Sequence, residues 1–143
     1  MSKLLEDFFA EYAAMFNRSL GEVPDIDAIT GVFASCFIAA DPNGVACGKN
    51  DDQLRAAIAQ GYQFYKSIGT KSMKIVSLEE TPLDDCHSMV KVYYQALYRK
   101  SDGREETIDF DVIYLLQTIG ERPKIFAYIS GDERKVLRER GII

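Results

Sequence analysis

The chain has 143 residues, of which 47% are hydrophobic and 27% are charged, a balance typical of a folded globular domain. The formal net charge of -5 argues against nucleic acid as a partner, because phosphate binding requires lysines and arginines gathered on one face. No apolar run approaches the ~20 residues that span a bilayer, so we expect no membrane partner.

The N-terminal segment is expected to belong to the folded domain. It carries Glu6, Asp7 and Glu11 among its apolar residues, whereas a secretory signal has an uninterrupted apolar stretch and a transit peptide is poor in acids. A length of 143 residues suits one domain with its own core and is too short for two. The sequence therefore predicts a single cytoplasmic domain over residues 1–143.

The three cysteines indicate neither a disulfide framework nor a metal site. Cys36, Cys47 and Cys86 are odd in number, form no Cys-x-x-Cys pair and have only His87 as a possible further ligand. His87 lies in the polar segment Asp-Asp-Cys-His-Ser, whose simplest interpretation is an exposed loop. We expect three reduced thiols, no metal and no organic cofactor.

Three helices are predicted in the first half of the chain. The first begins with Ser2 as its N-cap and runs to about Arg18, with apolar residues recurring three and four positions apart. The second is short and follows Asp25, within the segment DIDAITGVFASCF. The third follows Asn50, which opens a variant of the capping box, and ends near Gly69.

The second half of the chain is predicted to form strands, because its apolar residues alternate and are rich in β-branched and aromatic types. A final short helix is predicted after Asp132. The layout is α+β, with three N-terminal helices packed on one face of a curved antiparallel sheet. The four predicted strands are Ser72–Glu80, Ser88–Lys100, Thr107–Thr118 and Lys124–Ser130.

The segment DIDAITGVFASCFIAADPNG, Asp25 to Gly44, is similar to the part of ketosteroid isomerases that runs from their short second helix into their first strand. The order of elements resembles the NTF2-like, or cystatin-like, fold, a cone whose bent sheet encloses a pocket beneath the helices. In the isomerases the Asp of the Asp-Pro pair is the general base, so the resemblance assigns that role to Asp41. SnoaL-like polyketide cyclases share the fold and place a functional acid elsewhere on the pocket wall. Without the resemblance, Asp-Pro-Asn-Gly is also an ordinary turn in which Asp41 caps its own backbone.

A second correspondence is FDVIYLL, Phe110 to Leu116. The strand acid of the isomerases is kept protonated and donates a hydrogen bond to an oxyanion, and the resemblance gives that role to Asp111. A buried Asp111 that is bonded to Tyr94 for structural reasons is the alternative. The isomerases also supply an oxyanion tyrosine from their first helix, and here that position falls at either Tyr12 or Phe16.

The turn at Asp102-Gly103 determines which residues share the pocket face. A two-residue turn places Asp111 opposite Tyr94 on the neighbouring strand. Asp109 then shares that face, although a rim or solvent position also suits it. A slip of one residue in the turn would exchange the partners. The side chains predicted on this face with Asp111 and Tyr94 are Tyr98, Asp109 and Ile113.

The predicted function is that of a cofactor-independent protein that binds a small apolar carbonyl compound and transfers a proton, as an isomerase or cyclase does. The rival hypothesis is a non-catalytic NTF2-like module that binds a ligand or a protein partner. An epoxide hydrolase of this fold needs an Asp-Arg-Asp arrangement, and Arg99 falls on the opposite sheet face by parity. The aromatic residues predicted to wall the pocket, besides Tyr94 and Tyr98, are Tyr12, Phe16, Phe33, Phe37, Tyr62 and Tyr65.

The outer face of the predicted sheet mixes aromatic residues with long polar side chains. Lys91, Tyr93 and Gln95 lie on it by strand parity. Such a composition suits a surface that another protein surface covers without forming a fully apolar core. NTF2-like proteins often cover this face by dimerisation. We therefore expect a homodimer formed through the outer sheet face.

Overall fold

A computed structural model describes residues 2–143 and places four helices and six strands within them. The strands form one sheet in the order β2-β1-β6-β5-β4-β3. Within the described residues, no helix has both the length and the apolar character needed to cross a bilayer. In chain order the elements are α1 (Lys3–Gly21), α2 (Ile26–Thr30), β1 (Phe33–Asp41), β2 (Gly44–Lys49), α3 (Asp52–Ser67), β3 (Thr70–Pro82), β4 (His87–Arg99), β5 (Glu105–Gln117), β6 (Lys124–Ile129) and α4 (Glu133–Glu139).

The helix starts follow local capping chemistry. Ser2 accepts a hydrogen bond from the backbone N–H of Leu5, as the sequence predicts. The cap of α3 is Asp51 instead of the predicted Asn50. The Asn50 side chain instead donates to the carbonyls of Thr30 and Phe33, at 2.8 and 3.2 Å, and so fastens the junction between α2 and β1.

A hairpin of two strands, β1 and β2, separates the second helix from the third. The predicted helix after Asp25 ends at Thr30, because the segment Phe33–Asp41 is rich in aromatic and other apolar residues and pairs as a strand. β2 is an edge strand that pairs only with β1, and its two glycines weaken the alternating pattern by which strands are predicted. The expected run of three helices followed by strands is therefore interrupted by this hairpin.

The sheet is mostly antiparallel, with one exception. β3 to β6 form the predicted antiparallel meander, whereas β1 lies parallel to β6, with Ala39 opposite Tyr128. β3 shifts its register against β4 twice, between Thr70 and Ser72 and between Ile75 and Ser77. Such β-bulges bend the strand that contains them.

The hairpin that joins β4 and β5 has a three-residue loop, Ser101–Gly103, and the predicted two-residue turn is wrong. The N–H of Lys100 donates to the carbonyl of Arg104, and Gly103 takes a positive φ of 88°. The pairs are therefore Tyr94 with Phe110 and Tyr93 with Asp111. Because side chains alternate along a strand, this shift of one residue moves all of the odd-numbered residues of β5 to the outer face.

The core lies between the inner face of the sheet and α1. Leu5 and Phe9 of α1 are fully buried against side chains of the central strands. Burying a large apolar side chain contributes about 1.5–3 kcal/mol, so this contact is a main source of stability. A second, smaller cluster joins α4 to the sheet through Leu137. The buried sheet residues of the main cluster are Met73, Val90, Val92, Tyr94, Val112, Tyr114, Leu116 and Ile125.

Candidate functional site

A cleft of about 410 Å³ opens between the helices and the inner face of the sheet. Its size falls within the range of about 300–1,000 Å³ that is typical of sites for small molecules. Aromatic and aliphatic side chains make up most of its wall, and six of the lining residues are tyrosines. The lining residues are Tyr12, Phe16, Ile29, Phe33, Leu54, Ala57, Ile58, Gly61, Tyr62, Tyr65, Met73, Tyr94, Tyr114 and Tyr128.

Both the helices and the sheet contribute tyrosines to the cleft. The helices supply Tyr12, Tyr62 and Tyr65, and the sheet supplies three more. The cleft therefore has six phenols, and three of them come from adjacent strands. Those three are Tyr94 of β4, Tyr114 of β5 and Tyr128 of β6.

Most of the predicted aromatic residues are brought together in this cleft. The sequence left open whether Tyr12 or Phe16 of the first helix faces the pocket, and in the structure both residues line the cleft. Phe33, Tyr62, Tyr65 and Tyr94 line it as well. Sequence reasoning missed Tyr114 and Tyr128. The correct hairpin register would have found Tyr114, because it then shares the inner face with Tyr94.

Two phenols meet in the floor of the cleft. The hydroxyls of Tyr94 and Tyr114 lie 2.8 Å apart and share a hydrogen bond, and the ring of Tyr12 packs edge-on against Tyr114 at a centroid distance of 5.9 Å. Burial raises the pKa of Tyr94 and that of Tyr114, since a phenolate would lose its hydration there. Burial likewise raises the pKa of Tyr12. These hydroxyls therefore stay protonated at neutral pH and act as hydrogen-bond donors.

Asp41 lines a separate hollow of about 400 Å³, which shares Tyr128 with the cleft. It is exposed at the end of β1, and its side chain accepts a hydrogen bond from the backbone N–H of Asn43 at 2.8 Å, so it does cap the turn. Strand alternation places it on the same face as Phe37. Burial raises the pKa of the neighbouring Tyr128, and the negative charge of Asp41 raises it further. Asp41 itself does not line the cleft, and its carboxylate is in contact with solvent.

The prediction that Asp111, Asp109 and Ile113 share the pocket face is wrong. The three-residue hairpin loop places all three on the outer face, where Asp111 and Asp109 are exposed. Asp109 accepts a hydrogen bond from the Gln95 side chain at 2.9 Å, and Ile113 pairs with Ile129. Asp111 therefore does not face Asp41 across the cleft.

Two predicted wall residues lie beside the cleft instead of in it. Phe37 is buried, with its ring 5.1 Å from Phe33 and directly over the backbone of Gly48, where a Cβ atom would come within 2.5 Å of the ring. Tyr98 lines a smaller cavity of about 110 Å³ between α4 and the sheet. Burial raises the pKa of Tyr98 to about 12.

Glu133, which the sequence did not mark as a candidate, forms a hydrogen bond with the cleft-lining residue Tyr65. The Tyr65 hydroxyl lies 2.8 and 2.9 Å from the two carboxylate oxygens of Glu133, the first residue of α4. Burial raises the pKa of Glu133, although the hydrogen bond from Tyr65 acts in the opposite direction. The residue is nevertheless exposed to solvent. No local sequence signal marks this contact, because Tyr65 and Glu133 lie far apart in the chain.

The described residues provide no obvious metal centre. Within residues 2–143, no group of three or more His, Cys, Asp or Glu side chains is arranged to hold an ion. His87 does not line the cleft, and its ring forms hydrogen bonds with Asp84 and Gln117. Arg99 is exposed and pairs with Glu105, away from the cleft.

Residues 2–133 match the family described as NTF2-like protein (DUF6841), so the chain belongs to that family of NTF2-like proteins. No curated protein matches the chain. Solved structures of the same fold do match it over most of its length.

Three of these structures illustrate the range of proteins that share the fold. The chain is similar to the beta subunit of the benzoate 1,2-dioxygenase from Burkholderia mallei ATCC 23344, at 14% identity and a TM-score of 0.67 over 96% of each chain. It is similar to a ketosteroid isomerase-like protein from Erwinia carotovora atroseptica SCRI1043, at 15% identity and a TM-score of 0.60 over 90% of this chain and 92% of that chain. An NTF2-like protein with a cystatin-like fold from Novosphingobium aromaticivorans matches at 11% identity and a TM-score of 0.67 over 99% of this chain and 87% of that chain. At such identities the likeness shows the fold alone.

Proposed function

We propose that this NTF2-like protein binds a small apolar molecule that carries a carbonyl group, in the cleft beneath the helices. The observation that carries the proposal is the hydrogen-bonded pair of Tyr94 and Tyr114 in the floor of a cleft of about 410 Å³. Two phenols that share one hydrogen bond have one proton left for another acceptor. A carbonyl oxygen supplies that acceptor, and the apolar wall buries the rest of the ligand.

The test uses 2-acetylnaphthalene as a probe ketone and a variant that fills the cleft. Gly61 lines the cleft, and no atom lies within 4 Å of the position that its Cβ would take. Gly61→Leu therefore places a side chain in the space that the ligand needs, and it also favours the helix. The matched control is Ala56→Leu, at an exposed position of the same helix that does not line the cleft.

Titration calorimetry measures the outcome. We expect the wild-type protein and Ala56→Leu to bind the ketone, and we expect Gly61→Leu to bind it at least about tenfold more weakly, which corresponds to about 1.4 kcal/mol. Equal binding by all three proteins would place the ligand outside the cleft. Mass spectrometry of the native protein, in search of a small molecule that copurifies with it, then identifies the ligand.

Proton transfer is a second candidate function, and the position of Asp41 favours it. The carboxylate lines the adjoining hollow beside Tyr128, which also lines the cleft, and its charge helps to raise the pKa of Tyr128. A carboxylate there could take a proton from a carbon next to the bound carbonyl, while a phenol donates to the oxygen that gains charge. No cofactor takes part in such a step.

Exchange of the methyl protons of 2-acetylnaphthalene for deuterium, followed by NMR in D2O, tests this second function. We expect Asp41→Asn to abolish protein-dependent exchange. Asp111→Ala should leave the exchange rate unchanged, because Asp111 is exposed on the outer face. A wild-type protein that binds the ketone without accelerating exchange would instead be a non-catalytic binding module.

We also propose that the protein forms a homodimer through the outer face of the sheet. Leu97, Ile113 and Leu115 are half-buried on this face, and Ile129 is exposed beside Ile113. Together they form an apolar strip among polar side chains, a composition that suits an interface. A second copy of the chain offers the same strip and covers it with two-fold symmetry.

A further inference from the structure

Two of the three cysteines, Cys36 and Cys47, lie on the β1–β2 hairpin, and both are exposed. Cysteine is among the residue types that are most often buried, and an exposed thiol is open to oxidation and to metal ions. Two exposed thiols on one hairpin therefore need an explanation. The third cysteine, Cys86, is half-buried in the loop between β3 and β4.

The pairing of the two strands places both thiols on the same face of the sheet. Cys36 lies opposite Lys49, and Ile38 lies opposite Cys47. Residues two positions apart on a strand share a face, and so do residues directly opposite each other on neighbouring strands. The ring of Phe37 contacts residues that line the cleft, so Phe37 is on the inner face. The two cysteines are therefore on the outer face, away from the cleft.

The two thiols are diagonal neighbours in the more closely spaced kind of antiparallel pair. The backbone N–H of Asn50 donates to the carbonyl of Ser35 at 2.9 Å. Since hydrogen-bonded and non-hydrogen-bonded pairs alternate, the pairs that contain Cys36 and Cys47 are both non-hydrogen-bonded, and side chains are closer together at such pairs. Diagonal neighbours on one face are about 7–8 Å apart, and their Cβ atoms are somewhat closer. The two sulfurs can therefore turn toward each other.

This spacing suits a bridging ion better than a disulfide bond. A disulfide needs Cβ atoms about 3.5–4.5 Å apart, which is closer than diagonal neighbours lie. An ion with two metal–sulfur bonds of about 2.3 Å holds the sulfurs up to about 4.6 Å apart and so spans the longer gap. Within residues 2–143, no group of three or more His, Cys, Asp or Glu side chains is arranged to hold an ion, so the four ligands of a structural zinc site are not met. Soft thiolate ligands select Cu(I), which accepts two of them.

We propose that Cys36 and Cys47 bind one Cu(I) ion between their sulfurs. Each thiol releases its proton to solvent as its sulfur binds the ion. The complex of two thiolates and one Cu(I) carries a net negative charge, and Lys49 lies directly opposite Cys36. Among the described residues, no acidic side chain lies within salt-bridge distance of Lys49, so its ammonium group is available to offset that charge.

The proposed copper site is independent of the proposed function, because it lies on the other face of the sheet from the cleft. The sequence did not indicate a metal site, since the two cysteines come together only through the pairing of β1 with β2. The alternating pattern did not show β2, so this pairing could not be predicted.

The test titrates the reduced protein with Cu(I) under anaerobic conditions, in competition with the chromophoric chelator bicinchoninic acid. The proteins are the wild type, Cys36→Ser, Cys47→Ser and the control Cys86→Ser. A further variant combines Cys47→Ser with Ala46→Cys. It keeps the number of thiols but moves one of them to the inner face, because successive residues of a strand point to opposite faces.

We expect the wild-type protein and Cys86→Ser to withdraw one Cu(I) per chain from the chelator. Cys36→Ser, Cys47→Ser and the combined variant should each bind Cu(I) at least about a hundredfold more weakly, since changes to the supporting residues of a metal site alone cost about 10–100-fold. X-ray absorption should show two sulfur neighbours for the ion in the wild-type protein. Circular dichroism checks that each variant is folded.

Several results would overturn this assignment. Unchanged affinity in both single variants, or in the combined variant, would place the ion elsewhere, as would a loss of affinity in Cys86→Ser. One ion for every two chains would place it between two copies of the protein. A wild-type protein that withdraws no Cu(I) from the chelator would show that the two thiols do not form a copper site.

Discussion

The hydroxyls of Tyr94 and Tyr114 lie 2.8 Å apart on adjacent strands, and both residues are almost fully buried. Both residues belong to the main core cluster, and both also line the cleft. The pair therefore links the stability of the sheet to the chemistry of the candidate site.

Removal of one hydroxyl of this pair is expected to destabilise the protein. Tyr114→Phe leaves the Tyr94 hydroxyl without its partner in a buried position, which costs about 1–3 kcal/mol of unfolding free energy. Tyr94→Phe should have an effect of similar size. The double variant should lose less than the sum of the two single losses, by about 1 kcal/mol, because it leaves no orphaned hydroxyl. Urea unfolding of the four proteins gives these values.

Strict additivity in that cycle would show that the two hydroxyls do not interact in the folded protein. Circular dichroism of each variant serves as the control, since a change of fold would invalidate the comparison.

The packing of Phe37 on Gly48 predicts a second effect. Gly48→Ala should destabilise the β1–β2 hairpin by about 1–3 kcal/mol, because the new methyl group would come within 2.5 Å of the Phe37 ring, which has to move. Gly21→Ala is the matched control, since no atom lies within 4 Å of its Cβ position and its φ is not positive. Thermal unfolding that is equal for the two variants would contradict the observed contact.

The raised pKa of Glu133 predicts a dependence of stability on pH. The folded state holds this proton more tightly than the unfolded state, whose ordinary pKa is 4.5. Its stabilising contribution is therefore fully present below that value and is lost as the pH rises through the higher pKa of the folded state. Glu133→Gln has no such proton to lose. We expect the stability of Glu133→Gln relative to wild type to increase as the pH rises above 4.5.

Chemical denaturation at a series of pH values measures that difference. Glu139→Gln provides the control for the removal of a surface charge from the same helix. A constant difference between Glu133→Gln and the wild-type protein across the range would show that the carboxyl titrates normally in the folded state.

The proposed dimer predicts that a charge on the outer face will separate the subunits. Ile113→Lys places an ammonium group in the apolar strip beside Ile129, so burial of that face becomes unfavourable. Val23→Lys is a suitable control, because Val23 is exposed in the segment between α1 and α2. Sedimentation velocity should show a dimer for the wild-type protein and Val23→Lys, and a monomer for Ile113→Lys. A monomeric wild-type protein would end the proposal.

The sequence predicts the long elements because their apolar residues repeat clearly over many positions. Both α1 and the meander from β3 to β6 are found where the pattern places them. β2 is missed because a short edge strand with two glycines has few side chains to show an alternating pattern. The length of the short second helix is overestimated because Ile26, Ile29 and Val32 fit a helical spacing even though the chain turns into a strand after Gly31.

The candidate site is less predictable than the fold, for two physical reasons. The face occupied by Asp109 and Asp111 depends on whether the hairpin loop has two or three residues, and Ser-Asp-Gly fits either. The contact of Tyr65 with Glu133 depends on how two distant helices pack, which no local pattern encodes. The aromatic wall is more robust, because an inward-facing tyrosine on a core helix or central strand borders any cavity that forms there.

The central claim is that a carbonyl compound binds at the phenols in the floor of the cleft. NMR of the protein with labelled tyrosines, titrated with 2-acetylnaphthalene, tests it directly. The account predicts saturable shifts of the Tyr94 and Tyr114 signals and an unchanged signal for Tyr93, which lies on the outer face. Shifts confined to Tyr93, or no saturable shift of any tyrosine, would contradict it.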